Sequence, residues 1–439
     1  MRRRDLLIGA AALMASRPAM AADDPFRRAA REAFLYTLPT VEIANVRAAA
    51  MDHGMKPGRF YSRESLSTPD SRAVTTPNND TLNAQAFIDL SRGPAALRLP
   101  PLGGRYASLA LMDMFSNDFA VLGTRTTGDQ ARDVLLVGPN DRGHTGALRA
   151  PTPWVWAIVR VLVDGPRDLG KAREVLDGFA AQAAPARSPA SGAAFTAPWA
   201  DYLRAANALL LENPPPAADS QILQRMAPLG LGSDRFNPAR FDPAMASQIA
   251  AGVDEARALL LAPRPAADTN ADADAEGWGF EADDVGNFGQ DYETRARTAR
   301  GGLGALPPAE AMYLSALNPD GGRRFDGDGL WRLSFAGGQT PPVNAFWSLT
   351  LYEATPEGQF FLTPNPINRY SIGDRTPGLT RGPDGLLDIW ISRTDPGGGR
   401  SANWLPAPAK DPFAMILRAY LPKPAMQSHA YVPPPVIKI

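Results

Sequence analysis

The sequence predicts a mainly β fold with α content: two β-sandwich units separated by a helical segment, the two units reading as a diverged internal repeat. Three observations predict it. Short apolar runs such as "QAFIDL", "YASLALMDMF" and "WVWAIVRVLV" alternate with Gly, Pro, Asn and Asp over residues 59–165, and the same texture returns from Trp331 onward. Over residues 166–315 the apolar spacing is helical. Finally, four segments of the first β region recur in the same order in the second. At 439 residues the chain exceeds the usual ~100–200 residues of one domain, so several are expected.

Taken in order, residues 1–21, "MRRRDLLIGAAALMASRPAMA", combine a basic head, a short apolar run and small residues at Ala19 and Ala21, the layout of a signal peptide cleaved after Ala21. Arg3 and Arg4 followed by Asp5, Leu6 and Leu7 resemble a twin-arginine export signal, and an ordinary secretory head is the alternative. The apolar run is about half the ~20 residues of a membrane span, so a periplasmic or secreted protein with no span in its mature form is expected.

Residues 22–58 are expected to form two short helices parted by Pro39, and residues 59–165 the first β unit. Within 166–315, Asp242 can cap a helix that Pro243 begins, placing Met245, Ile249, Val253, Ala256 and Leu260 on one face. "APWADYLRAANALLLENPPP" reads the same way, and the acidic stretch around Asp272 reads as a solvated loop. Residues 316–439 form the second β unit.

The repeat rests on more than texture. "YASLALMD" matches "FWSLTLYE", with Ser108, Leu109 and Leu111 in register with Ser348, Leu349 and Leu351. Gly123, Arg125, Thr126 and Gly128 correspond to Gly373, Arg375, Thr376 and Gly378, and Arg160 corresponds to Arg418. Each copy therefore carries a strand, a tight turn that glycine permits and a buried exit strand. Asn78, Asn79, Asp80 and Arg369 lack an obvious twin.

Composition narrows the function classes. A formal net charge of −1 and no basic stripe argue against nucleic-acid binding. With no cysteine, the chain has no disulfide, thiolate nucleophile or iron–sulfur cluster.

"PNNDTL", "GRYASLALMDMFSNDFAVLGTRTTG", "FWSLTLYE", "NPINRYSIGDRTPGL" and "NWLPAP" resemble the bacterial exported proteins that join domain of unknown function 1254 to domain of unknown function 1214. The resemblance spans nearly the whole chain after the leader. It implies an N-terminal immunoglobulin-like β-sandwich, a central helical segment and a C-terminal jelly-roll-like β-sandwich, and it implies no established chemistry. Relatives usually carry Tyr after "DTL", where this chain has Asn83.

For chemistry, "GPRDLGKA" follows a strand and opens a helix like a phosphate-binding loop, but Ala172 stands where a magnesium-holding hydroxyl is needed. His53, His144 and His429 lie far apart, so no metal site is expected. Asp320, Asp326 and Asp328 offer hard oxygens on a glycine-rich loop, and a plain β-turn accounts for them as well. No Gly-x-Ser-x-Gly elbow or His-Glu-x-x-His appears, and no cofactor is implied.

There remains a polar set: Asp80, Asp113 and Asp374 as candidate catalytic carboxylates, with Asn78, Asn79, Asn365, Asn368, Arg369, Tyr370, Arg375 and Trp404 as candidate ligand-binding residues. Amides, carboxylates and arginine forks suit a hydroxyl-rich or glycan ligand, and Tyr106, Tyr370 or Trp404 can stack on a sugar face. A carboxylate pair about 5–9 Å apart can hydrolyse a glycan. Turn formation by Asn and Asp, and loop bracing by Arg125 and Arg375, is the structural alternative. Three roles are thus expected in order of preference: a binding or envelope-associated protein holding a small polar or glycan ligand, a periplasmic hydrolase, and a scaffold, any of them compatible with a homo-oligomer.

Overall fold

Asp24 opens the described chain by accepting the N–H groups of Phe26 (2.9 Å) and Arg27 (3.2 Å), which caps helix α1 (Pro25–Asp52). The computed structural model describes residues 24–72, 75–262, 277–316, 325–355, 359–408 and 412–439; the leader at 1–21, the acidic stretch at Asp272 and Asp320 lie outside them. Where the sequence predicts two helices, α1 runs unbroken through Pro39. Leu38, Pro39 and Val41 are buried there, and that packing offsets the hydrogen bond proline cannot donate.

The other helices are α2 (Leu169–Asp177), α3 (Trp199–Glu212), α4 (Ser220–Met226), α5 (Pro243–Leu261), α6 (Tyr292–Gly301) and the short α7 (Pro424–Gln427). α1, α3, α4, α5 and α6 share one core that includes Phe34, Tyr202, Leu209, Ile249, Val253 and Ala296. Asp242 caps α5 through the Met245 N–H (2.8 Å). Gly252 brings α5 against α1, where a Cβ would lie 2.1 Å from the Arg27 carbonyl oxygen.

The N-terminal β unit contains β1 (Tyr61–Ser62), β2 (Thr81–Asp89), β3 (Ala95–Leu99), β4 (Ala107–Asp113), β5 (Asp118–Gly123), β6 (Arg132–Val137), β7 (Leu148–Arg149), β8 (Trp154–Leu162) and β9 (Ala180–Gln182). A sheet of order β1-β2-β8-β4-β5 faces one of order β7-β6-β3-β9 across Leu82, Leu97, Leu109, Leu136 and Val159. This is a sandwich.

The C-terminal unit contains β10 (Trp278–Phe280), β11 (Ala311–Ala316), β12 (Trp331–Phe335), β13 (Val343–Ala354), β14 (Phe360–Phe361), β15 (Ser371–Gly373), β16 (Leu387–Ser392), β17 (Trp404–Pro406), β18 (Phe413–Pro422) and β19 (Val436–Lys438). Its sheets run β10-β11-β18-β13-β14, with β15 also on β13, and β17-β16-β12-β19. Leu314, Leu333, Trp347, Ile389 and Leu417 fill the space between them. β9, β10 and β11 fall inside the stretch read as helical. They are short, and their partners are distant in sequence, so periodicity alone does not reveal them.

Strand register makes the repeat concrete. Ser108 on β4 faces Gly123 on β5 and Arg160 on β8, and Ser348 on β13 faces Gly373 on β15 and Arg418 on β18. A Cβ on Gly123 or Gly373 would lie 2.2 Å from the carbonyl oxygen of Ala107 or Trp347, which is why both turns need glycine. The correspondence reaches a third strand: Thr81 on β2 faces Leu162, and Ala311 on β11 faces Tyr420. Just ahead of each, Asp80 O accepts the Val163 N–H (3.0 Å) and Glu310 O accepts the Leu421 N–H (2.9 Å). Asp80 therefore has a twin after all. It is Glu310.

Candidate functional site

The faces of the five- and six-stranded sheets that turn away from their own cores meet each other. Tyr106 and Phe346, which hold equivalent positions in the two copies, touch edge to face with centroids 5.6 Å apart. Tyr420 stacks on Phe346 at 4.1 Å and meets Tyr106 at 5.3 Å, with Ala110, Val121, Leu306 and Leu421 closing the cluster. Equivalent residues touching each other is the behaviour of groups beside a local twofold axis.

Charges cross this junction in both directions. Asp80 Oδ2 accepts from Ser348 Oγ (2.6 Å), and Asp80 Oδ1 lies 3.7 Å from Arg375 Nη2. Its twin Glu310, 1% exposed, accepts from Tyr106 Oη (2.9 Å) and from Arg125 Nε (2.6 Å). The arginine of each Gly-x-Arg-Thr turn thus reaches the carboxylate of the other unit. Arg375 also donates to Val163 O (3.0 Å) and lies 4.0 Å above the Phe346 ring.

Several sequence-selected residues assemble here. Asn78 Oδ1 accepts from the Asp80 and Thr81 N–H groups (2.7 and 3.1 Å), while Asn78 Nδ2 donates to Tyr420 Oη (2.6 Å). Asn79 donates to Ser67 O (2.6 Å). Asp374 accepts weakly from the Trp347 N–H (3.3 Å) and lies 3.7 Å from Arg375 Nε. Its side chain keeps 32% exposure, yet burial raises its pKa; Arg375 opposes the shift and Asp80 adds to it.

Others lie apart from the junction. Asp113 orders the β4–β5 turn, accepting from the N–H groups of Phe115 (2.8 Å) and Asn117 (2.9 Å), and burial raises its pKa. Asn365, Asn368, Arg369 and Tyr370 belong to a loop of the C-terminal unit, which packs beside Trp404 at the start of β17. Asn365 spans that loop to Arg369 N (3.0 Å) and O (3.0 Å), and Arg369 Nη1 donates to Ala402 O (3.0 Å) and Trp404 O (2.8 Å). Trp404 is buried, its indole N–H on Ser392 O (2.9 Å), while Tyr370 Oη donates to Asn368 Oδ1 (3.2 Å).

Sequence reasoning missed Ser348 and Glu310 as partners; Arg418, read there only as the twin of Arg160, is buried with its Nη1 donating to Thr350 Oγ1 (3.0 Å). An acidic residue directly before a strand in both copies was the available signal. In the near-phosphate loop, Gly165 (φ +80°) starts a turn into α2, and Asp168 is engaged by Arg105. His144 contacts Asp141 and His429 contacts Asp283, each at 3.1 Å, and Asp326 and Asp328 pair with Lys438 and Arg393. Among the described residues no three His, Asp or Glu side chains are grouped to hold a metal ion, and no helix is long and apolar enough to cross a membrane. A groove of about 490 Å³ on the N-terminal sandwich is lined by Leu122, Thr127, Arg132, Leu135 and Leu148.

Comparison with known proteins agrees with this architecture. Residues 57–183 match the family described as "Protein of unknown function (DUF1254)", and residues 310–424 match "Protein of unknown function (DUF1214)". The VPA0106 protein of Vibrio parahaemolyticus has a similar fold, with a TM-score of 0.70 at 23% identity over 94% of this chain and 100% of that one. An uncharacterized protein from Burkholderia cenocepacia aligns at 13% identity with a TM-score of 0.45, over 95% of this chain and 94% of that one. No curated protein matches the chain.

Proposed function

Starting from a chain that joins a DUF1254 domain to a DUF1214 domain, we propose an exported protein that binds a polar, hydroxyl-rich ligand at the junction of its two β units. The observation that carries this reading is Asp374. It stands one-third exposed beside the mostly enclosed Arg375, with its carboxyl raised toward the protonated form by burial, so the junction presents solvent with a carboxyl backed by a guanidinium. A carboxyl and an arginine fork side by side match the donors and acceptors of vicinal hydroxyls. The basic head and short apolar run of residues 1–21 support export.

Hydrolysis by paired carboxylates is the second reading. Its support is that Asp80 and Asp374 share Arg375 and that Asp80 helps to raise Asp374, the kind of pairing that separates an acid from a base. It ranks lower because Asp80 is buried, with one oxygen bonded to Ser348 and the other facing Arg375. Asp113, held in its own turn, has no part in that pair.

A thermal-shift screen of the chain from Ala22 against polyols, neutral and acidic sugars and glycans tests the proposal. A saturable rise in Tm that Asp374→Asn abolishes is expected. Product release from a stabilising glycan would move the reading to hydrolysis, and no shift with any compound would leave a scaffold.

A further inference from the structure

The two Gly-x-Arg-Thr turns repeat one local structure and differ at the residue after the glycine, which is Thr124 in the N-terminal copy and Asp374 in the C-terminal copy. The bonds around that residue agree. In both turns the glycine N–H donates to a turn threonine, Gly123 to Thr127 Oγ1 and Gly373 to Thr376 Oγ1, each at 2.9 Å. The Thr126 and Thr376 N–H groups reach back to the carbonyls of Gly123 (3.1 Å) and Gly373 (3.0 Å). Ala107 and Trp347, which precede the paired Ser108 and Ser348, each aim an N–H at the differing residue: Ala107 donates to Thr124 Oγ1 at 3.0 Å and Trp347 to Asp374 Oδ1 at 3.3 Å.

Threonine suits this place better. Its hydroxyl accepts the Ala107 N–H and can turn its own hydrogen to the carbonyl of Arg105 (3.3 Å) or Ala107 (3.2 Å). An ionised carboxylate donates nothing, so Asp374 is left with the one long bond from Trp347. Arg375 Nε stands 3.7 Å from the same oxygen, buried and without a hydrogen-bond partner. Asp374 Oδ2 bonds to no other residue among those described, and the side chain is one-third exposed. A place where one copy breaks a local rule that the other keeps, with no gain inside the fold, is where a functional demand is expected.

We infer that Asp374 is a specificity residue kept against the preference of its turn: its outer oxygen accepts a hydrogen bond from a hydroxyl of a neutral ligand, and each chain holds one such site because Thr124 fills the equivalent place. The hydroxyl donor rests on the function proposed above, whereas the mismatch between Asp374 and its turn does not. A neutral donor fits because Arg375 opposes a cation and the carboxylate itself opposes an anion.

Two variants that exchange the residues test this. Without any ligand, at about pH 7, Asp374→Thr should raise Tm by about 2–4 °C and Thr124→Asp should lower it by a similar amount. An Asp374→Thr chain no more stable than the wild type would show that the turn itself requires the carboxylate, and it overturns the inference whether or not a sugar binds. Calorimetric titration with sorbitol and glucose then reads the contact. Saturable binding at one site per wild-type chain, lost in Asp374→Thr and kept in Thr124→Asp, upholds it. Binding that survives Asp374→Thr, or two equal sites per chain, overturns it and leaves a ligand at the junction in place. No binding of either compound overturns the hydroxyl contact and counts against the proposed function with it, a failure that the ligand-free Tm values separate from the first.

Discussion

Asp80 and Glu310 exchange partners between the two β units: Asp80 engages Ser348 and Arg375 of the second copy, and Glu310 engages Tyr106 and Arg125 of the first. The backbone carbonyls of Asp80 and Glu310 accept equivalent bonds in their own sheets, from the N–H groups of Val163 and Leu421. Removing the charge of either should loosen the junction. Glu310→Gln is expected to lower unfolding free energy by about 1–3 kcal/mol, because a buried charge-assisted bond to Arg125 is lost. Urea denaturation followed by tryptophan fluorescence measures it, and a change within error would remove the pair from the list of junction contacts.

Ser348→Ala probes the other half. It takes the hydroxyl from Asp80 Oδ2 and leaves that oxygen buried, at a cost of roughly 1–3 kcal/mol. A denaturation midpoint equal to that of the wild type would show that water replaces the serine freely.

The paired glycines should be the least replaceable residues of the turns. Gly123→Ala and Gly373→Ala drive a methyl into a carbonyl oxygen 2.2 Å away, so either is expected to cost more than 2 kcal/mol or to abolish soluble expression. Gly128→Ala and Gly378→Ala are the controls. Both have φ near +77° and open space, and only the left-handed strain of about 1 kcal/mol should appear.

Asp374 predicts a pH dependence. Its carboxyl titrates higher in the fold than in the unfolded chain, so its contribution favours folding at low pH and is lost as pH rises through the folded value. Asp374→Asn should therefore stabilise the protein at about pH 7 and flatten the stability profile below it. Asp168, held low by Arg105, acts in the opposite sense, and its contribution is lost only as pH falls through its folded value, below the ordinary Asp range. Urea midpoints from about pH 4 to 7 measure the difference, and a parallel profile for the variant would refute the assignment.

In the helical unit, Asp219 accepts from Tyr36 Oη and Tyr292 Oη, each at 2.8 Å, and so ties α1 to α6. Asp219→Ala strands both phenols and is expected to cost about 2–4 kcal/mol, read as a fall in the thermal midpoint.

The repeat was legible because Ser108 and Ser348, Gly123 and Gly373, and Arg160 and Arg418 are identical pairs that follow one another in the same order. The Asp80–Glu310 correspondence was not, since "DTLN" and "EAMY" share no residue and only strand register aligns them. Partners were equally hidden: Ser348 is 268 residues from Asp80, a contact no local pattern encodes. Pro39 misled because its penalty is local, whereas the burial that offsets it belongs to the whole helical core. Of the candidate residues, those at the junction were chosen for their polarity. That chemistry is visible in a sequence, but whether an oxygen is already taken by a neighbour is not.

The Tyr106, Ala110 and Val121 face is covered by Phe346 and Tyr420, which the ribosome makes much later. At about 5–20 residues per second, that face waits on the order of ten to sixty seconds for its cover. During translation the first half of the protein is therefore an aggregation-prone intermediate.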